Sequence, residues 1–240
     1  MFEDFYREFL MSSESLPEEF RKEETAEKLY LHISELSDKG RLFNLTAITD
    51  MTEAVNKHVV DSLFAAKAAR ELSGGRDADL IDIGSGGGFP AIPIAIFCPN
   101  FKVAALDSTA KKCEFISEIA KKCGIDVETI AERAEEAVYS RRETFDFVTA
   151  RAVARLNVLS ELCAPFVKVG GYFIAMKGSA AEEERLEAAT GAEKLGLRYE
   201  KSIPYEIEGG GERRILIYKK VSPTPPEYPR RYAKIKKNPL

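Results

Sequence analysis

From Leu80 to Pro90 the chain reads Leu-Ile-Asp-Ile-Gly-Ser-Gly-Gly-Gly-Phe-Pro. An apolar run ends in Asp82-Ile83, and glycine then fills four of the five positions from Gly84 to Gly88. Phe89-Pro90-Ala91-Ile92-Pro93-Ile94-Ala95-Ile96 then opens an apolar helix. Strand, glycine turn and helix in that order are how an α/β sheet turns backbone N–H groups toward a nucleotide-like ligand. This feature fixes both the fold class and the end of the sheet where a ligand belongs.

The rest of the pattern agrees. Apolar runs at 79–83, 101–107, 126–130, 145–150 and 171–176 predict strands, followed by two more near 198–207 and 213–220. Helical periodicity falls near 89–97, 109–123, 132–139, 154–166 and 180–195. Alternation over this length implies a mostly parallel sheet with helices on both faces. No helix separates the last two strands, and Gly209-Gly210-Gly211 turns one into the other, so they are expected as an antiparallel hairpin at the sheet edge. The predicted architecture is thus α/β, a seven-stranded mostly parallel sheet with an antiparallel C-terminal hairpin and N-terminal helices.

Those N-terminal helices are expected over 2–10, from Leu16-Pro17 onward through Ala26, Leu29, Tyr30, Ile33 and Leu36, and over roughly 52–70 with Val55, Val59, Leu63 and Ala66 on one face. Gly40 is the expected stop of the second, and residues 44–50 a connector. The expected division is a helical region at 1–74, a ligand-binding domain at 75–221 and a tail at 222–240.

Several classes are excluded. No apolar run approaches the ~20 residues of a membrane span, and the acidic start Met1-Phe2-Glu3-Asp4 lacks the basic opening of a signal peptide, so a cytoplasmic protein is expected. Cys98, Cys113, Cys123 and Cys163 form no C-x-x-C pair and read as buried free thiols, and His32 and His58 are too scattered for a histidine metal site. No metal is expected. Charge is uneven: residues 218–240 carry seven basic residues against Glu227 alone, while the whole chain is at −4. A basic tail on an acidic body suggests an anionic partner.

The glycine loop is selective. In the dinucleotide pattern G-x-G-x-x-G the third glycine would follow Gly84 and Gly86 at position 89, where this chain has Phe89. The spacing that fits is Asp82-x-Gly84-x-Gly86-x-Gly88, which resembles the first motif of S-adenosylmethionine (SAM) dependent methyltransferases. Asp107, at the end of the second strand, suits ribose hydroxyls of either ligand, or a helix N-cap ahead of Ser108-Thr109. Glu135 can meet an adenine edge or serve as a first-turn acid, and Arg151 can face the ligand or form a surface ion pair.

Further segments accompany the loop. They are Asn44-Leu45-Thr46-Ala47-Ile48, His58-Val59-Val60-Asp61-Ser62-Leu63, Leu106-Asp107-Ser108, Arg133-Ala134-Glu135-Glu136, Ala150-Arg151-Ala152-Val153-Ala154, Met176-Lys177-Gly178 and Tyr228-Pro229-Arg230-Arg231. With this ordered set the chain resembles the bacterial 16S ribosomal RNA guanine-N7 methyltransferase family (RsmG or GidB, glucose-inhibited division protein B) over nearly its whole length. The resemblance implies a Rossmann-like methyltransferase fold, SAM as cofactor, and 16S ribosomal RNA or the small ribosomal subunit as partner. It carries cofactor binding onto Gly84, Phe89, Ala134, Glu135 and Arg151, and a ribose-facing role onto Asp107. The chain departs from the family pattern at Ala91 and at Tyr232-Ala233-Lys234-Ile235, where glycine, threonine and proline are frequent after the arginines.

Guanine N7 carries a lone pair and no proton, so its methylation demands no general base, and no catalytic residue is expected. In the tail, Arg230, Arg231, Lys234, Lys236 and Lys237 are expected to neutralise RNA phosphates, with Tyr228 and Tyr232 available to stack on bases. The proline cluster at 223–229 is expected to hold this end extended. Arg41, Lys57 and Lys177 are weaker candidates for the same surface; His58 and Asp61, one helical turn apart, read as local structure or as RNA contacts. An NAD-linked oxidoreductase and a non-catalytic RNA-binding protein on a methyltransferase-like fold are the rival readings.

Overall fold

The computed structural model describes residues 1–43, 48 and 50–240, with backbone only for 40–43. The segment Asn44-Leu45-Thr46-Ala47 lies outside the described residues. Seven strands form one sheet in the order β3-β2-β1-β4-β5-β7-β6. They are β1 (Ala78–Ile83), β2 (Phe101–Leu106), β3 (Val127–Ile130), β4 (Phe145–Arg151), β5 (Val167–Lys177), β6 (Leu197–Ile207) and β7 (Gly211–Lys220). The first five are mutually parallel, and β7 inserts antiparallel between β5 and β6.

Period-2 burial sends successive side chains of each strand into different cores. Leu80 joins a core with α1 (Phe2–Ser12), α2 (Glu23–Phe43), α4 (Asp61–Ser73), α5 (Ala91–Phe97) and α6 (Ala110–Cys123). Ile81 and Ile83 join the core on the opposite face, with α7 (Ala134–Arg141), α8 (Leu156–Cys163), α9 (Ala181–Glu187) and α10 (Ala189–Lys194). The N-terminal helices are therefore a layer of the domain: Phe20 stacks on Phe97 of α5 at 4.8 Å, and Phe5 and Phe9 are fully buried.

Three local features differ from the sequence reading. Helix α2 runs through Gly40 to Phe43, because an interior glycine costs only about 1 kcal/mol relative to alanine and does not by itself end a helix. The helix expected at 52–70 is one rod from α3 (Met51–Ala54) to α4, but its middle, Val55–Val60, is a π-helical turn. The tail is not a free extended end: α11 (Tyr232–Lys237) docks on α8 with Ile235 fully buried. No helix among the described residues is long and apolar enough to cross a membrane.

Candidate functional site

The strand order reverses at β1, which has β2 on one side and β4 on the other; a ligand crevice belongs at the carboxyl ends of strands at such a point. There the Gly84–Gly88 loop leaves β1. The amides of Gly84 and Ser85 donate to the Leu106 carbonyl at 2.8 and 3.0 Å, which ties the loop to β2. Gly84 sits at φ +77°, and a Cβ there would lie 2.5 Å from a Val153 methyl carbon. Gly88 sits at φ +91°, with Ile92 and His32 against the position of a Cβ. Glycine is required at both, since a side chain would be strained by the backbone and would have no room.

A cleft of about 890 Å³ opens in front of the loop, lined by Gly84, Gly86, Phe89 and Arg151 among others. A second lobe of about 260 Å³ adjoins it through Gly84, Lys112, Ala152 and Val153. Asp107, Ala134 and Glu135 line this smaller lobe. The Asp107 carboxylate accepts from the amides of Gly86 (3.1 Å) and Thr109 (2.9 Å) and pairs with Lys112 at 3.5 Å; the N-cap of α6 is Thr109, so Asp107 braces the loop and is not the helix cap. A carboxylate has about four acceptor sites, which leaves capacity for a ligand. Glu135 pairs with Arg133 at 3.2 Å.

Of the residues expected at the cofactor, Gly84, Gly86, Phe89, Asp107, Ala134, Glu135 and Arg151 line the two lobes. Asp82 and Gly88 stand behind the loop and line neither lobe. Asp82 is buried and accepts from the Thr149 hydroxyl at 2.9 Å; burial pushes its carboxyl up to about 6, against the Ser85 and Thr149 hydroxyls and the Arg151 charge. These two residues shape the cradle.

Arg151 is not a surface ion pair. Its Nη1 donates to Asp61 at 3.0 Å and to the Lys57 carbonyl at 2.7 Å, in the π turn, and its Nη2 lies 3.3 Å from His58 Nδ1. Asp61 accepts in addition from the Tyr205 hydroxyl at 2.7 Å. The guanidinium stands over the Phe89 ring at 5.4 Å, and that ring is sandwiched between His32 and His58, with centroids at 4.3 and 4.8 Å. Burial pushes both imidazoles down, His32 to about 4 and His58 to about 3, with Arg151 adding to each. Both rings are therefore neutral at pH 7. Ala152, next to Arg151, lies at φ +54°, a left-handed conformation uncommon outside glycine that turns the chain out of β4 beside both lobes.

His32 and Tyr205 were not recognised from sequence as parts of this site. His32 Nε2 meets the Gly87 carbonyl at 2.7 Å from a helix 55 positions earlier, and Tyr205 reaches Asp61 across 144 positions. No local pattern signals either contact.

The basic residues divide. Arg231, Lys234, Lys236 and Lys237 are exposed. Arg230 is turned inward: its Nε and its backbone amide each donate to Glu161 Oε1 at 2.8 Å, and Glu161 is fully buried, so Arg230 is not available for a phosphate. Tyr228 is likewise buried, and Tyr232 lines the smaller lobe. Lys177 donates to the Ala154 carbonyl at 2.6 Å and pairs with Glu184; Lys57 pairs with Glu53. Arg213 and Arg155 also line the larger lobe, whose lining is net basic, with Lys57, Lys112, Arg151 and Lys177 as well against Asp61 and Glu184.

Comparison with known proteins agrees with this fold. The fold resembles a 16S rRNA (adenine(1408)-N(1))-methyltransferase from Catenulisporales acidiphilia, with a TM-score of 0.52 and 14% identity over 67% of this chain and 93% of that one. It also resembles M. jannaschii TYW2 in complex with AdoMet, at a TM-score of 0.51 and 17% identity over 66% and 74%. In sequence the chain is 41% identical to the ribosomal RNA small subunit methyltransferase G of Staphylococcus saprophyticus, over 89% of this chain and 96% of that protein. It is 41% identical to the protein of the same name from Thermotoga sp. (strain RQ2), over 91% and 93%. The model of the GidB family, described as rRNA small subunit methyltransferase G, matches residues 25–212, and the chain belongs to that family.

Proposed function

We propose that the protein transfers a methyl group from SAM to N7 of a guanine in 16S ribosomal RNA, within the small subunit or its precursor. The observation that carries this reading is the two-lobed cleft at the β1–β4 switch point in a member of the GidB family. Its residues fit SAM. The side-chain-free cradle at Gly84 and Gly86 gives close backbone access to an amino-acid moiety, and Asp107 and Glu135 line a lobe sized for a nucleoside. Loop and acids would hold the cofactor.

Bound there, SAM would supply an electrophilic methyl carbon: the lone pair of a ring nitrogen forms the new N–C bond as the sulfonium S–C bond breaks and its electron pair leaves on sulfur, and no proton is lost. The protein's part is alignment, and proximity supplies much of the rate. Phe89, fixed between two neutral imidazoles, gives the larger lobe a rigid apolar floor. The Arg151 charge is matched by Asp61, so it opposes less strongly the positive charge that develops on the base. The net-basic lining and the exposed tail lysines attract RNA phosphates, and the acidic remainder of the chain disfavours indiscriminate nucleic-acid binding.

The test is transfer from labelled SAM into 16S RNA and 30S particles from cells lacking the gene. The expected product is 7-methylguanosine, located by cleavage of the chain at the modified base. Absence of label in naked RNA and in every particle would overturn the proposal, as would tight NAD binding without SAM binding.

A further inference from the structure

The tail supplies a wall of the smaller lobe. Tyr232, the first residue of α11, lines that lobe with Asp107, Ala134, Glu135 and Leu162. The Arg133 guanidinium lies over the Tyr232 ring at 4.5 Å and pairs with Glu135 at 3.2 Å. Body and tail thus meet in a row, Glu135–Arg133–Tyr232, along the rim of the lobe.

The wall is anchored. Glu161, fully buried on α8, receives both the amide and the guanidinium of Arg230, and its neighbour Leu162 lines the lobe. Arg142 donates to the carbonyls of Thr224 and Tyr228 at 2.8 Å and of Pro225 at 3.0 Å. Ile235 is fully buried beneath the helix, and Leu240 packs so closely on Gly191 that a Cβ there would lie 2.7 Å away. A tail that served only as a flexible phosphate-binding arm would need none of these contacts.

We propose that Tyr232 forms the outer wall of the nucleoside subsite and binds the purine nucleoside of the cofactor, so that tail docking and cofactor binding are coupled. This rests on the reading of the cleft as a SAM site. The lobe offers carboxylates for a vicinal diol, apolar side chains from Ile83, Leu106 and Leu162, and the Tyr232 ring, a combination suited to a purine riboside. Linkage makes the coupling reciprocal: if the docked tail tightens cofactor binding, cofactor stabilises the docked tail by the same factor. Exposed Lys234, Lys236 and Lys237 ride on the same helix, so cofactor binding also fixes the surface they present.

The test is calorimetric titration of the full chain with SAM and with its demethylated product. Tyr232→Leu keeps an apolar side chain for docking and removes the aromatic face; Tyr232→Phe keeps the ring. We expect Tyr232→Leu to weaken both ligands about tenfold and to raise KM for SAM, and Tyr232→Phe to stay within twofold. Lys-specific proteolysis within α11 is expected to slow when SAM is added to the wild type, and to slow less in Tyr232→Leu. Wild-type binding of SAM with unchanged affinity in Tyr232→Leu would overturn the inference, as would SAM binding without protection of the tail. Failure of the wild type itself to bind SAM would instead overturn the functional reading on which the inference rests.

Discussion

Arg151, at the end of β4, and Asp61, at the start of α4, meet at 3.0 Å and lock the N-terminal helices onto the cleft. Removing one member of a mostly buried pair leaves the other desolvated and unpaired, which typically costs about 3–5 kcal/mol. Here Arg151 keeps some exposure and a backbone acceptor, so Asp61→Ala is expected to cost about 2–3 kcal/mol in denaturant unfolding. Single-turnover methyl transfer should fall at least tenfold, with Asp61→Asn less severe in both measurements. Unchanged transfer in Asp61→Ala would mean that Arg151 needs no fixing.

Gly84→Ala tests the cradle. Its Cβ would enter the Val153 side chain and its backbone would remain left-handed, at a cost of roughly 1–2 kcal/mol for the conformation alone. SAM affinity is expected to drop at least tenfold. Gly84→Ala combined with Val153→Ala should recover the steric share of that loss and leave the backbone share, which titration of both variants can separate.

The tail cations should separate by role. Arg230→Ala removes the partner of fully buried Glu161 and is expected to lower stability by about 3 kcal/mol. Replacing exposed Lys234, Lys236 and Lys237 together with alanine should leave the melting temperature nearly unchanged. That triple variant should make the salt dependence of RNA binding shallower by about 2–3 in log–log slope, as three lost phosphate contacts would. A large stability loss in the triple variant would reassign those lysines to structure.

The buried imidazoles set an acid limit. The folded-state values of His32 and His58 lie below that of a free histidine, so the unfolded chain binds more protons between about 4 and 6.5. Stability from both is present above about pH 6.5 and is lost as pH falls through that window. Asp82 acts oppositely: its folded value is raised to about 6, so its share of stability declines as pH rises from about 4 to 6. The net dependence is expected near one proton. His32→Gln should remove one proton, about 1.4 kcal/mol per pH unit near pH 5, from the slope of unfolding free energy against pH.

Much of this was legible in the chain because it was written locally. Alternation of short apolar runs with helical periods carried the sheet, and the triple glycine between the last two strands carried the hairpin. Gly84 and Gly86 of the loop and the acids Asp107 and Glu135 line a cleft as their strand-end positions predicted. What escaped was set by distance or by packing. The π turn at Val55–Val60 has no sequence signature of its own, yet it supplies the Lys57 carbonyl that holds Arg151. The charge pattern marked Arg230 as a phosphate ligand, but charge alone does not reveal that Glu161, 69 positions earlier, lies buried beneath it. Tyr232 reads as a tail aromatic until the fold returns it to Arg133.

The segment after β4 is gripped from two directions, at Arg151 by the N-terminal helices and at Ala154 by Lys177 of β5. Half of that grip comes from residues that a division at position 74 would assign to an appendage. A fragment beginning at β1 would keep the glycine loop and every strand, yet Phe89 would lose both flanking rings and Arg151 its carboxylate. The smallest piece of this chain able to work is therefore larger than the piece able to form the sheet, and grafting the sheet alone onto another helical region would transfer the shape of the cleft without its rigidity.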